Sequence, residues 1–282
     1  MVWVNFSMII KNGVVAIARA LTWPWVVADN LHERKRRRIA ARPFPPEWLR
    51  ILESNMRFYP RLSEKLREQL LDRIQVFLAE KRFEGCAGLE ITDEIKVTVA
   101  GYACLLLLNR KPTYYPRLST ILVYPHAYVA QKIQRLGYAE FITREPRLGE
   151  SWSHDYVVIS WDAVKKNPTD IHSGHNVVLH EFAHQLDQEN GSADGMPVLQ
   201  TASQYRAWAR VLGVEYSRLC DEVAAGAETS IDAYGATNPA EFFAVITEMF
   251  FESAEEFRAK HPKVFTLLCR FYGVNPAAWT DE

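Results

Sequence analysis

Apolar residues recur at three- and four-residue intervals from Pro46 onward, with Leu66, Leu70, Ile74, Phe77 and Leu78 forming one stripe. That period puts the apolar side chains on one face and predicts helices over 46–57 and 63–81. Thr92 or Asp93 can cap a third helix, which carries the apolar run from Val97 to Leu108. The pattern then shortens. Thr120 to Tyr124, and Tyr156 to Trp161 after a polar loop, look like strands. Helical spacing returns over 173–188, which Gly191 ends, and again over 204–222 and 239–251. Neither an internal repeat nor a low-complexity segment interrupts this order. The succession predicts a mainly helical α+β domain with a small β-sheet, in which the 173–188 helix follows directly on the strand ending at Trp161.

The first 42 residues depart from this pattern. Val14 to Val27 is largely apolar, but Lys11, Arg19 and several polar residues break any stretch long enough to cross a bilayer. No small-residue cleavage site of the signal-peptide kind follows it. The basic run Arg34-Lys35-Arg36-Arg37-Arg38 comes next, then the stiff Pro43-Phe44-Pro45-Pro46 break. A mobile leader with a solvated basic tail over 1–44 is the expectation, favoured over a membrane-surface contact through 1–42. The main domain is then 45–282, and Met8 is an alternative start. With 282 residues, 48% apolar and 24% charged, the chain has ample length for a buried core. A net charge of −1 argues against direct nucleic-acid binding. Cys86, Cys104, Cys220 and Cys269 are widely spaced, with no C-x-x-C pair, which fits a reducing, cytoplasmic setting.

His180-Glu181-Phe182-Ala183-His184 brings in chemistry. Residues four apart on a helix lie one above the other, so both imidazoles can reach a single tetrahedral cation. Glu181 then stands beside that cation without binding it. This is the H-E-x-x-H arrangement of zinc peptidases, which require a third ligand and a position left for water. Asp187 shares the face, but a straight helix carries it roughly 4.5 Å beyond His184 along the axis. It reads better as a carboxylate behind the ligands or as a surface acid. In the segment from Tyr234 to Ala244, Asn238 is an N-cap and Pro239 a first helical residue, which places Glu241 where a capping box would have its carboxylate. Glu248 lies two turns on and faces the same way. Spacing alone divides the third ligand between these two glutamates. His126, His154, His172 and His175 are further candidates that displace neither. Tyr156 to Trp161 is either an interior strand or a sheet edge able to pair with an extended peptide.

His-Glu-Phe-Ala-His-Gln-Leu-Asp at 180–187 and Tyr-Gly-Ala-Thr-Asn-Pro-Ala-Glu-Phe-Phe-Ala at 234–244 together resemble the Mlc titration factor A family of bacterial zinc metallopeptidases. The two blocks are also similar to the catalytic domain of anthrax lethal factor. For the titration factor family the resemblance runs from about Pro45 to Tyr272 and includes Ile121 to Pro125 and Ile159-Ser160-Trp161. It implies a zincin-like domain of the gluzincin type, with one zinc on His180, His184 and Glu241, Glu181 as catalytic base and Tyr234 in the active site. Glu241 is thereby chosen over Glu248 by analogy. Glu248→Ala and Asp187→Ala are then expected to keep their zinc. A core aromatic is the competing reading of Tyr234. The resemblance also implies peptide substrates, with aminopeptidase action as the narrower expectation, and an Mlc-like transcriptional repressor as partner in the control of sugar-uptake genes. A regulatory factor whose main role is to sequester that repressor is the alternative to an enzyme.

Overall fold

A computed structural model of the chain describes residues 31–126, 128–136, 139–147, 149–153, 155–166 and 175–279. The chain divides into two units, Met1–Pro43 and Phe44–Glu282. In the first, residues 31–40 form a helix, α1, on which Arg34, Lys35, Arg37 and Arg38 are exposed. The basic run faces solvent as expected, but it is helical where a tail was predicted. The apolar stretch from Val14 to Val27 lies outside the described residues.

The second unit opens with α2 (Pro46–Asn55), α3 (Glu64–Glu80) and α4 (Asp93–Leu105), close to the predicted spans. Pro46 sits in the first turn of α2, where its missing N–H removes no helical bond. Thr92 is the cap of α4, its hydroxyl accepting the Ile95 N–H at 3.3 Å. Ten of the thirteen residues of α4 are buried. A helix without a polar face can only be central, and α2, α3 and the motif helix all pack on it.

The strands in chain order are β1 (Arg82–Gly85), β2 (Thr120–Tyr124), β3 (Tyr128–Leu136), β4 (Ala139–Arg147), β5 (Gly149–Ser153) and β6 (Tyr156–Ser160). Parallel β1, β2 and β6 lie side by side, with Ile121 opposite Val157 and Val123 opposite Ile159, and β5 adds an antiparallel edge. Strands β3 and β4 form a separate hairpin. One expectation is corrected here, one open alternative is decided, and some elements are new. The second predicted strand ends at Ser160, since Trp161 opens a short helix, α5 (Trp161–Lys166), so the motif helix does not follow it directly. Strand β6 is interior, between β2 and β5, which removes it as a free edge. Strand β1 and the hairpin were not foreseen: four residues carry too little periodicity, and 128–147 is rich in charges.

The remaining helices are α6 (Val177–Asp187), α7 (Ala202–Ala224), α8 (Pro239–Glu252), α9 (Ala254–Lys260) and α10 (Pro262–Tyr272). Residues 173 and 174, where the motif helix was expected to begin, lie outside the described residues. Rings of Phe77, Tyr115 and Phe182 meet beneath α6, with centroids 4.8–6.2 Å apart. A second aromatic group, Phe250, Phe251 and Tyr272, joins α8 to α10. The first cluster seats α6 and the second seats α8, and the two helices pack directly on each other. Among the described residues no helix is long and apolar enough to cross a membrane.

Candidate metal centre

Helix α6 starts at Asn176, whose side-chain oxygen accepts the N–H groups of Val178 and Leu179 at 3.1 Å each. The same residue ties α6 to α8: its backbone N–H donates to Glu248 Oε2 at 2.6 Å and its amide to Glu252 Oε1 at 2.7 Å. Val178, Leu179, Phe182, Ala183 and Leu186 are all buried, so α6 has one rotation available to it. That rotation turns His180 and His184 toward α8.

Helix α8 presents Glu241 in return. Asn238 Oδ1 accepts the Glu241 N–H at 3.0 Å, so the backbone is capped as expected. The Glu241 carboxylate, however, turns to the histidines. Its Oε2 lies 3.0 Å from His180 Nε2 and 3.2 Å from His184 Nε2, and the two nitrogens are 3.2 Å apart. A tetrahedral zinc with bonds near 2.05 Å holds its ligand atoms roughly 3.3 Å apart. Among the described residues this is the group of histidine, cysteine and carboxylate side chains spaced to hold a metal ion.

The donor set fits a cation chemically as well. Glu248 Oε1 lies 2.6 Å from His180 Nδ1, so that nitrogen donates, and in the neutral ring Nε2 would be left free to ligate toward His184 and Glu241. Converging lone pairs repel one another unless positive charge stands between them. Burial by itself lowers the His180 pKa, but Glu248, Glu241 and Glu181 outweigh it and hold it well above the ordinary value. Burial raises Glu241 and Glu248, yet the facing imidazoles hold both carboxyls below their usual range.

Glu181 is buried near His180, with 4% of its surface exposed. Tyr234 belongs to a 3-10 turn, Ala233–Ala236, with its ring centroid 6.1 Å from that of His180. At 52% exposure it is no core aromatic. Asp187 is fully buried, which corrects its reading as a surface acid, and its Oδ2 accepts the Gly195 N–H at 2.8 Å. Glu248 proves to be no bystander, because it grips the nitrogen of His180 opposite the site. His175 pairs with Asp232 at 3.2 Å, and exposed His126 pairs with Asp162. His154 and His172 lie outside the described residues. His175 was among the further candidates, while Asn176 and Asp232 went unrecognised as parts of the site. Only Asn176, an N-cap ahead of the motif, left a signal that could have found it.

A His-Glu-x-x-His helix set against a small sheet, with a glutamate from a later helix closing on both imidazoles, has the form of a metallopeptidase. The family described as glucose-regulated metallo-peptidase M90 matches residues 31–273, and the chain belongs to it. The match begins at α1, earlier than the Pro45 expected from the motifs. An uncharacterized protein of Synechocystis is 38% identical over 244 residues, 86% of this chain and 89% of that protein. Mlc titration factor A of Klebsiella pneumoniae is 32% identical over 226 residues, 78% of this chain and 84% of the relative. The protein of the same name from Escherichia fergusonii is 29% identical over 266 residues, covering 91% and 92%.

Proposed function

We propose that this metallopeptidase is a zinc peptidase of the gluzincin type, with His180, His184 and Glu241 as ligands and Glu181 as general base. The observation that carries the proposal is the convergence of two Nε2 atoms and one carboxylate oxygen within 3.0–3.2 Å. His180, His184 and Glu241 would hold a zinc ion, which when bound would supply the Lewis acidity that activates water and the scissile carbonyl near neutral pH. Glu181, buried near His180, accepts the proton from the attacking water and delivers it to the leaving amine. Tyr234 donates a hydrogen bond to the carbonyl oxygen as charge develops on it, and its exposure leaves it open to substrate. Peptides are the substrate class, with aminopeptidase action the narrower reading. The four cysteines are free thiols, in keeping with a reducing, cytoplasmic setting.

The second reading, a factor that binds an Mlc-like repressor, draws support from relatives named Mlc titration factor A. Metal analysis, with a peptide-library digest of wild type and Glu181→Gln, separates the two. The expected result is about one zinc per chain in both proteins and hydrolysis reduced by orders of magnitude in Glu181→Gln. Repressor binding, if present, survives that substitution because it uses surface rather than the base. Undiminished hydrolysis in Glu181→Gln would assign the activity to another site.

A further inference from the structure

Asp232 uses its two carboxylate oxygens on different parts of the site. Oδ1 accepts the backbone N–H of Tyr234 at 2.7 Å. Oδ2 lies 3.2 Å from His175 Nε2, and His175 Nδ1 lies 3.8 Å from Glu248 Oε2. Glu248 in turn holds His180 Nδ1 at 2.6 Å. One line of polar and ionic contacts thus runs from the backbone of the Tyr234 turn to the ring of His180. Carboxylates and imidazoles alternate along it: Asp232, His175, Glu248, His180. The two carboxylates raise the His175 pKa to about 10, Asp232 contributing most, so His175 is a cation at neutral pH.

A line of this kind answers a physical need. Tyr234 sits on a turn of four residues that packs on α7 and α8, and it is more than half exposed. The turn's own bonds, Gly235 N–H to Asp232 O at 2.9 Å and Thr237 N–H to Tyr234 O at 3.1 Å, fix its local shape. Those bonds stay within the turn and do not reach α6. His175 precedes α6 by two residues and reaches Asp232, so the pair links the turn to the helix that carries both histidines.

We infer that Asp232, acting through His175, is a positioning residue that sets where the Tyr234 hydroxyl stands relative to His180, His184 and Glu241. The inference rests on the reading of Tyr234 as the donor to the carbonyl oxygen. If Asp232 were only a cap for the turn, Oδ1 alone would suffice and the charge on Oδ2 would be idle. Asp232→Asn separates these cases, since the amide oxygen still caps the turn while the pair with the His175 cation is lost.

The test has two arms. In kinetics, Tyr234→Phe alone lowers kcat about 10²–10³-fold. Asp232→Asn and His175→Gln each lower kcat roughly tenfold with KM nearly unchanged, and metal content stays at the wild-type level. Asp232→Asn combined with Tyr234→Phe is no slower than Tyr234→Phe alone, because no hydroxyl remains to be positioned. Multiplying losses would overturn the inference. In the second arm, 3-fluorotyrosine placed at 234 in metal-free protein gives one narrow fluorine resonance with wild-type Asp232. The line shifts or broadens in Asp232→Asn and in His175→Gln. A line unmoved in both would overturn the positioning role whatever the kinetics. A fully active Tyr234→Phe would instead sink the oxyanion role of Tyr234 alone, and the fluorine arm would still decide whether Asp232 places its ring.

Discussion

Glu241 and Glu248 stand two turns apart on α8, and each addresses a different nitrogen of His180. A carboxylate on the far nitrogen sets the ring's tautomer and orientation, and losing such a partner typically weakens metal binding about 10–100-fold. Glu248→Gln is therefore expected to lower zinc affinity by that factor, read by competition with a chelator of known strength. Unchanged affinity would show that α6 alone orients the ring. Asp187 offers a test of burial. Desolvation raises its pKa to about 6, from a carboxylate's usual value near 4. Between those values the folded protein binds more protons than the unfolded chain, so this group makes stability fall as pH rises from about 4 to about 6 and stay flat above. Asp187→Asn keeps an oxygen for the Gly195 N–H but cannot ionise. Melting curves of the metal-free proteins should converge near pH 4 and show the variant more stable at pH 7.

The loop after α6 reaches the start of α8 through a single glycine. Gly195 has φ +73° and lies so close to Pro239 that a Cβ would stand 2.3 Å from its carbonyl oxygen. Asp187 holds its N–H, and the Trp208 indole donates to its carbonyl at 2.8 Å. The loop is thus fastened to α6, to α7 and against the residue two before Glu241. Gly195→Ala combines left-handed strain, about 1–3 kcal/mol, with a clash against backbone that cannot rotate away. Chemical denaturation should show a loss of that order, and a metal titration should show weakened binding as the first turn of α8 shifts. A variant with wild-type stability would mean that the loop yields and α8 does not depend on it.

At the scale of the molecule, the three candidate ligands come from two helices that pack on each other, so a metal ion held there would find its side chains already assembled and would bind the folded state alone. Such a ligand at 100 times its dissociation constant stabilises by about 2.7 kcal/mol. With roughly 2–4 °C per kcal/mol for a domain of this size, chelation should lower Tm by about 5–10 °C and readdition of zinc should restore it. A melting curve indifferent to chelator would remove the metal from these three residues.

Local physics made much of this protein legible. The 3.6-residue period is written in consecutive residues, so α2, α3, α4, α6, α7 and α8 could be placed, as could the face shared by His180 and His184. Asn238 and Pro239 likewise marked the start of α8, since a cap is an interaction over three residues. What lay across longer separations was not legible. Spacing could not divide Glu241 from Glu248, because both face α6 and the choice depends on which end of an imidazole each meets, 61 and 68 residues away. A strand carries no mark of its neighbours, so only the assembled sheet made β6 interior and gave the edge to β5. His175 and Asp232 form a pair only because two loops meet beside α8. The sequence alone determined six of the helices and the chemistry they offer; the tertiary structure decided which nitrogen meets which carboxylate, because that choice is made by the packing of α6 on α8 and not by any run of neighbouring residues.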